Sequence, residues 1–514
     1  MMSIMHWMIN FWCFVVIIWY DNLKQSWRMR RGPLKRLFLI VILASIVVWV
    51  FNTFEVAQTS RQLQYRRSIE FLIILHVTLC MLIGTHFKAS VHHLSFILLL
   101  YILAILYKQT HLSDLGIYEH NNENWILYCQ MLVLIVNFCL FLIMVETFSA
   151  EVIILILWVS MGTLLLISSS NFLSIYLAIE LHTFPIFILI TQKKGYIYSA
   201  EAGLKYFVLS ALSSGIFLFG CSYLYQLIGD IELIHMKIEL TQETVCDVFI
   251  TIALLFKLAA APLHIWAPDV YSGAPTLITV LLILLPKIAI LSILVTIKIS
   301  YMILFVSVVF SLFIGSIGGL NQVQIKRLMA YSGINHIGLL LFGLLIKSPL
   351  SLQASLIYLT LYIWMTLCLF SIIIMRKSNL ILEFKGSSRE QPLMSWILTI
   401  SLLSLAGIPP FIGFLSKWTT LMAGVVHHFY YITIICIICS MIAGVYYIRL
   451  VRVIYYPLQT LWINWEGLFL KQWINTPQSI SLPAIGAYFF LFGLGYSYFF
   501  LLITRCTVFQ WLFL

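Results

Sequence analysis

The chain has 514 residues, of which 62% are apolar and only 10% are charged, and it carries a formal net charge of +11. Soluble domains are about 45–50% apolar and about 25% charged, so a water-soluble enzyme of this length could not bury so much apolar surface. The composition instead predicts an all-α polytopic membrane protein. Nucleic-acid binding is not indicated, because the cations lie between apolar runs rather than in a basic patch with interleaved aromatic residues.

Apolar runs long enough to cross the hydrocarbon, about 20 residues each, recur along the whole chain. They predict about sixteen transmembrane helices, over residues 4–20, 37–54, 70–87, 92–107, 125–146, 150–168, 171–191, 203–228, 246–267, 276–297, 301–320, 328–346, 353–375, 394–417, 429–448 and 483–504. The cations that flank the first run follow it rather than precede it, which predicts a retained anchor instead of a cleavable signal.

Threading these spans through a membrane sorts the lysine and arginine residues of the loops between its two sides. Eighteen of the 30 fall on one side and eight on the other. The basic side is expected to face the cytoplasm or the mitochondrial matrix, which places both termini on the outer side.

Four lysines remain, and all of them lie within predicted spans: Lys205, Lys257, Lys287 and Lys417. A lysine in mid-membrane costs at least about 2.5–3.5 kcal/mol on insertion scales, so it requires a partner, water or a function. Glu180 lies near the middle of its own span and is able to supply the opposite charge. The alternative for each lysine is that its side chain reaches the interface, and for Lys417 that it is a plain helix-end cation.

Prolines interrupt two of these spans, close to Lys257 and Lys417. Pro262 follows the first lysine by five residues, and Pro409 and Pro410 precede the second. A proline inside a helix removes a hydrogen bond and kinks or breaks the helix, and broken helices line hydrated sites in transporters. The opposite order of proline and lysine predicts inverted repeats, and charged groups in series across a membrane predict a proton relay.

The sequence carries no metal, redox or nucleotide signature. Cys436 and Cys439 form its one C-x-x-C pair inside a long apolar run, and two small apolar residues on one helix are the simpler interpretation. A phosphate-binding loop, a dinucleotide fingerprint and a haem or flavin motif are all missing. We therefore expect no cofactor and no metal on this chain.

Four segments, residues 201–233, 256–290, 322–345 and 404–418, resemble the subunit 2 or subunit N family of respiratory complex I, NADH:ubiquinone oxidoreductase. They include the strings FKLAAAPLHIWAPDVYSGAPT and SLAGIPPFIGFLSKW, and the resemblance covers about residues 125–450. It implies a 14-helix antiporter-like core that translocates protons as a non-redox part of a larger enzyme. NADH, FMN, iron–sulfur clusters and ubiquinone would then be bound by other subunits.

The same resemblance implies that one residue on each of several core helices takes part in a proton relay. These residues are Glu180 on the fifth core helix, Lys205 on the sixth, Lys257 on the broken seventh, Lys287 on the eighth, Lys417 on the broken twelfth, and His336 on the central hydrophilic axis. A histidine on an apolar helix is otherwise more often a packing residue, so the assignment of His336 depends on the resemblance.

Glu180 lies on the seventh predicted span rather than on the fifth, so two additional spans precede the core. We predict an N-terminal extension with two transmembrane helices over residues 1–68 and the antiporter-like core over residues 69–514. The segment 450–482 is also longer than the resemblance implies. Both additions are predicted contact surfaces for lineage-specific accessory subunits.

The resemblance also implies partners and a location. The partners are an antiporter-like subunit 4 on one side, small 4L-type and subunit 6-type chains on the other, and membrane lipids. The Phe, Tyr and Ile content indicates the mitochondrial inner membrane, and a bacterial inner membrane is the alternative.

Two other functions remain open. A subunit of a monovalent-cation/proton antiporter shares the fold and the buried charges, but the strings PDVYSGAPT and PKIAI count against it. A scaffold that has lost pumping is the third possibility, and the retention of all four lysines counts against that one.

Overall fold

The structure is a computed structural model, and it describes residues 121–143, 150–192, 196–233, 245–376 and 378–456. The first four predicted spans, the last predicted span and the predicted boundary at residue 68 lie outside the described residues. The described helices all belong to one compact unit.

The described part of the chain is helical, with isolated β-bridges where connections meet. In chain order the helices are α1 (Asn121–Ile143), α2 (Ala150–Ser168), α3 (Phe172–Ile190), α4 (Ile197–Ile228), α5 (Val245–Leu258), α6 (Trp266–Gly273), α7 (Thr276–Thr296), α8 (Tyr301–Gly318), α9 (Ile325–Ile346), α10 (Pro349–Arg376), a 3-10 turn (Ile381–Phe384), α11 (Ser387–Glu390), α12 (Pro392–Ala406), α13 (Ile412–Val426) and α14 (Tyr430–Tyr455). Eight of these are long and apolar enough to cross a membrane: α2, α3, α4, α7, α8, α9, α10 and α14.

The predicted spans in this part agree with the helices to within a few residues, and the differences are mostly extensions. Helix α4 begins at Ile197 rather than at 203, and α14 continues to Tyr455. The start of the segment 450–482, predicted as part of an extended connection, is therefore helix. An apolar run marks where the membrane ends rather than where the helix ends, because the helical hydrogen bonds continue into the polar region with charged side chains such as Arg452.

Both predicted helix breaks are present. Helix α5 ends at Leu258 and α6 begins at Trp266, with Pro262 in a cis peptide between them; α12 and α13 are separated by the cis peptide of Pro409 and Pro410. Lys417 lies within α13 and is 7% exposed. Its alternative interpretation as a plain helix-end cation is wrong, since the predicted end at 417 falls in the middle of the second half-helix.

Two contacts near helix ends link segments that are distant in the chain, and the sorting of the loops into two sides stays a prediction. Near one end of the bundle, the Lys298 ammonium lies 3.5 Å from the Asp247 carboxylate. Near the other, Arg449 donates a hydrogen bond to the backbone oxygen of Leu320 at 2.8 Å. Each contact joins residues that the threading places on the same side. By the same threading, the broken helices α5–α6 and α12–α13 run in opposite directions.

Helices α7, α9 and α10 form the centre of the unit and are almost fully buried. Helices α4, α8 and α14 turn most of their apolar side chains outward. Outward apolar faces suit a membrane protein, in which lipid replaces water as the solvent. The polar residues at the centre are therefore the groups whose burial needs a functional explanation.

Candidate functional site

Lys257 lies in the last turn of α5, at the point where the broken helix leaves its final carbonyl groups without intrahelical partners. Its ammonium donates a hydrogen bond to the backbone oxygen of Ser210 on α4 at 3.1 Å. Glu180, on α3, acts on Lys257 electrostatically, although the two form no direct ion pair in the described structure. The Glu180 carboxylate instead accepts a hydrogen bond from Thr183 at 3.2 Å. The Glu180–Lys257 partnership therefore stays a prediction, with the two residues on α3 and α5 and no direct contact between them in the described structure.

A small cavity of about 10 Å³ adjoins Lys257. Its lining combines polar and apolar groups from α3, α4, α5, α6 and α7, among them His182, Tyr206, Ser210, Lys257, Trp266 and Pro286. This volume is about what one water molecule needs, and the lining offers the polar partners that a buried water requires. The lysine on α5 therefore borders a water-sized space that α7 also lines, through the apolar side chains of Leu282, Pro286 and Ile290.

Lys287 lies in the middle of α7, directly after Pro286, and is only 3% exposed. Its ammonium donates a hydrogen bond to the hydroxyl of Tyr362 on α10 at 3.0 Å and lies 4.8 Å from the centre of that ring. Gly333 on α9 makes room for this contact, because a Cβ atom there would lie 3.1 Å from the ammonium nitrogen. Within the described residues the ammonium is stabilised by a tyrosine rather than by a carboxylate.

His336 lies in the middle of α9, is 1% exposed, and has a hydroxyl partner on each ring nitrogen. Nδ1 is 2.5 Å from the Tyr358 hydroxyl of α10, and Nε2 is 3.2 Å from the Tyr447 hydroxyl of α14. Both Lys287 and Lys417 act on the imidazole electrostatically. The predicted central histidine therefore lies on a helix that packs against both α7, which carries Lys287, and α13, which carries Lys417.

Lys417 points back across the second helix break. Its ammonium donates a hydrogen bond to the backbone oxygen of Ala406, the last residue of α12, at 2.8 Å. The carbonyl end of a helix carries partial negative charge and favours a cation. Gly407 has a left-handed backbone, φ +77°, and packs against the lysine side chain. The break thus provides the negative end of a half-helix as the partner of a buried lysine.

Lys205 differs from the other three lysines, because its side chain is 40% exposed. Its ammonium lies 2.7 Å from the Glu201 carboxylate and 3.0 Å from the Asp269 carboxylate of α6. Arg327, at the start of α9, also pairs with Asp269, at 2.7 Å. The structure therefore places Lys205 in an ion-pair cluster in the first half of α4, five residues before Ser210, whose backbone oxygen binds Lys257.

The site as a whole is a series of ionisable and hydroxyl-bearing side chains that runs from α3 and α4 to α13. Adjacent members lie on helices that pack against each other, and α9 and α10 link α7 to α13. Tyr358, Tyr362, Tyr447 and Asp269 belong to the site but were not predicted. The spacing of Tyr358 and Tyr362, four residues apart in an apolar run, was the available signal for two hydroxyls on one helix face.

The described residues include no group of three or more His, Cys, Asp and Glu side chains that could hold a metal ion. Cys436 and Cys439 lie on α14 as free thiols, and both are buried.

Comparison with known proteins places this geometry in context. Residues 168–443 match the sequence family described as NADH:quinone oxidoreductase/Mrp antiporter, TM. The chain is 46% identical over 355 residues to NADH-ubiquinone oxidoreductase chain 2 of Metridium senile, an alignment that covers 66% of this chain and 91% of that protein. It is 37% identical over 323 residues to NADH-quinone oxidoreductase subunit N of Beijerinckia indica, which covers 59% of this chain and 68% of that protein.

Solved structures share the fold. A chain of respiratory complex I from Thermus thermophilus superposes with a TM-score of 0.71 at 23% identity and covers 83% of this chain and 96% of its own length. A chain of the Mrp complex from Dietzia superposes with a TM-score of 0.73 at 16% identity and covers 86% of this chain and 96% of its own length. The antiporter-like architecture is therefore common to this chain and to both complexes.

Proposed function

This chain belongs to the chain 2 and subunit N family of NADH:quinone oxidoreductases, and we propose that it is the corresponding proton-translocating membrane subunit of respiratory complex I. The observation that carries the proposal is the series of buried lysines and one histidine, in which Lys257 and Lys417 adjoin the two helix breaks. Such groups are costly in a membrane and mark ion or proton pathways. We assign to this subunit proton movement alone, with NADH, FMN, iron–sulfur clusters and ubiquinone bound by other subunits.

The relay begins at the carboxylate–lysine pair of Glu180 and Lys257. A nearby carboxylate stabilises the protonated lysine, and when that charge is neutralised or moves away, burial favours the release of the proton. Energy is required, since moving one charge against about 100 mV costs about 2.3 kcal/mol. In this proposal quinone reduction elsewhere in the complex supplies the energy and reaches Glu180 through neighbouring membrane subunits.

The remaining groups carry the proton along the membrane. Lys287 and Lys417 hold it in turn, with His336 between them, and Lys205 connects the pathway to the basic side. The partial exposure of Lys205 and its carboxylate partners support a position at the solvent end. The contacts of Lys287 with a hydroxyl and of Lys417 with a carbonyl support exchange, because neither partner holds the proton as firmly as an ion pair would.

The finer architecture is also part of the proposal. A 14-helix core with two inverted repeats is supported by the two helix breaks and by the predicted threading, in which the two broken helices run in opposite directions. Two further helices in residues 1–68 and the segment beyond Tyr455 would bind accessory subunits. The core would contact a subunit 4-type chain and the small 4L- and 6-type chains, in the mitochondrial inner membrane with both termini on the intermembrane-space side.

A second candidate function is supported by the shared fold with the Mrp complex. In that case the chain would exchange a monovalent cation for protons and would need no redox partner. The 46% identity to a protein named as chain 2 of NADH-ubiquinone oxidoreductase favours complex I.

The test is a blue-native gel of mildly solubilised membranes, stained for NADH oxidation, with mass spectrometry of the active band. We expect this chain in that band. If it migrates apart from all NADH-oxidising activity, the complex I assignment is wrong, and proton flux that depends on Na⁺ or K⁺ should then be measured on the band that contains it.

A further inference from the structure

Two tyrosine hydroxyls contact the ring nitrogens of His336, and the relay described above includes neither of them. Tyr358 comes from α10 and Tyr447 from α14, and both residues are fully buried. They reach opposite nitrogens of one imidazole, at 2.5 Å from Nδ1 and 3.2 Å from Nε2. Three helices are thus joined by one unbroken line of hydrogen bonds, Tyr358–His336–Tyr447, which we call the hydroxyl–imidazole triad.

The chemistry of a neutral imidazole gives this triad a direction. One ring nitrogen carries a proton and donates, and the other has a lone pair and accepts. One tyrosine must therefore accept from His336 while the other donates to it. The two tautomers of His336 correspond to the two directions of the line, and the same positions of the heavy atoms suit both.

A positively charged His336 is disfavoured where it stands. The residue is 1% exposed and both of its hydrogen-bond partners are neutral hydroxyls, so a positive charge there would be buried without a counter-charge. None of the described residues forms an ion pair with His336. An imidazole that passes a proton without storing one avoids this cost.

We infer that Tyr358 and Tyr447 are proton-carrying groups of the relay and that His336 transfers the proton between them by exchange of its tautomer. This inference rests on the proposed function and specifies how a proton passes between α10, which also carries the Tyr362 partner of Lys287, and α14.

The transfer balances at every atom. A proton binds to the Tyr447 oxygen as that hydroxyl's own proton moves to Nε2 of His336. The proton on Nδ1 then moves to the Tyr358 oxygen, and the original hydroxyl proton of Tyr358 leaves to the next acceptor. Each group ends with the number of protons it began with, no electron moves, and the imidazole has changed tautomer. A second transfer in the same sense requires the imidazole to return to its first tautomer, for which the ring must leave both hydrogen bonds and exchange its proton; transfer in the reverse sense uses the same steps and restores the first tautomer directly.

The test uses the assembled complex in proteoliposomes and compares three variants with one control. Tyr358→Phe and Tyr447→Phe remove a hydroxyl and retain the ring, and His336→Gln retains a donor and an acceptor but has no tautomer that relays a proton. The control is Tyr446→Phe, on the same helix and equally buried, whose hydroxyl makes no hydrogen bond to His336. Protons released per NADH oxidised and the amount of assembled complex are measured together.

We expect all three variants to assemble and to lose this chain's share of the protons per NADH, through a fall of about tenfold or more in the transfer rate. Tyr446→Phe should keep the wild-type ratio. A wild-type ratio in both assembled tyrosine variants, or in His336→Gln, would overturn the inference. Lys287→Met distinguishes a failure of the triad from a failure of the proposed function. If Lys287→Met also pumps normally, the proposed function fails. If Lys287→Met abolishes pumping while the three triad variants pump normally, only the triad fails.

Discussion

The replacement of Lys287 by methionine separates the cost of a buried charge from its function. Lys287 is 3% exposed at the centre of α7, and its one hydrogen bond in the described structure goes to the Tyr362 hydroxyl at 3.0 Å. Methionine fills a similar volume without the charge. We expect Lys287→Met to assemble at the wild-type level while the complex loses proton translocation through this chain.

Two opposing terms set the size of the stability change. Removing a mid-membrane ammonium recovers about 2.5–3.5 kcal/mol on insertion scales. Leaving the Tyr362 hydroxyl buried without its donor costs about 1–3 kcal/mol. The difference runs from a loss of about 0.5 kcal/mol to a gain of about 2.5 kcal/mol, so we expect the free energy of unfolding to stay the same or rise slightly. A functionally silent lysine would give the same stability result, and the pumping measurement therefore decides its role.

The assay combines thermal stability of the purified complex with the ratio of protons released to NADH oxidised. Lys287→Arg provides a second arm, because arginine keeps the positive charge but does not release its proton. It should therefore also lose pumping. The matched control is Lys326→Met, since Lys326 is equally buried but donates a hydrogen bond to the Ala274 backbone oxygen at 2.7 Å near the basic side.

Two results would each contradict a different part of this prediction. If the assembled Lys287→Met complex pumps at the wild-type ratio, Lys287 is not part of the relay. If Lys287→Met fails to assemble while Lys326→Met assembles normally, the balance of burial and hydrogen bonding given above is wrong. We expect the opposite pattern, in which the control variant loses stability and keeps its proton ratio.

Three other substitutions test the surroundings of the relay. Gly333→Ala would bring a Cβ atom to 3.1 Å from the Lys287 ammonium; pumping should fall with little loss of assembly, and an unchanged proton ratio would contradict this. Gly407→Ala would place a Cβ atom 2.6 Å from Cδ of Lys417 at a residue with φ +77°, so a cost of about 1–3 kcal/mol is expected in thermal unfolding together with reduced pumping. Asp269→Asn removes two partly exposed ion pairs, so stability should change by less than about 1 kcal/mol; a larger loss, measured at low and high salt, would show that the cluster is structural.

Most of the fold of the described region could be predicted from the sequence. Apolar runs predicted the helices of the described region because lipid allows no unpaired backbone groups, and hydropathy therefore maps directly onto spans. Pro262 and the pair Pro409 and Pro410 predicted both helix breaks, since proline removes a hydrogen bond wherever the chain packs. The four lysines within spans could be identified in the same way, because the cost of burying a charge does not depend on which helices are neighbours.

The partners of those lysines could not be predicted. Lys287 binds a tyrosine 75 positions along the chain, and His336 binds another at a separation of 111. Separations of this size depend on which faces of α7, α9, α10 and α14 meet, and side-chain packing sets that choice. The tyrosines themselves are ordinary components of apolar helices, so no local pattern distinguished the ones whose hydroxyls face a relay.

Lys205 also shows that the fold, and not the local sequence, decides the partner and the exposure of a lysine. By sequence it was one of four lysines in apolar runs, and its resemblance-based role treated it like the rest. The fold brings Asp269 from the short helix α6 beside it and leaves its side chain 40% exposed. The sequence alone determined the fold class, the helix breaks and the positions of the ionisable groups, because hydropathy and backbone chemistry act locally. Only the tertiary structure decided which groups are buried together, because burial and hydrogen bonding depend on distant helices that pack side by side.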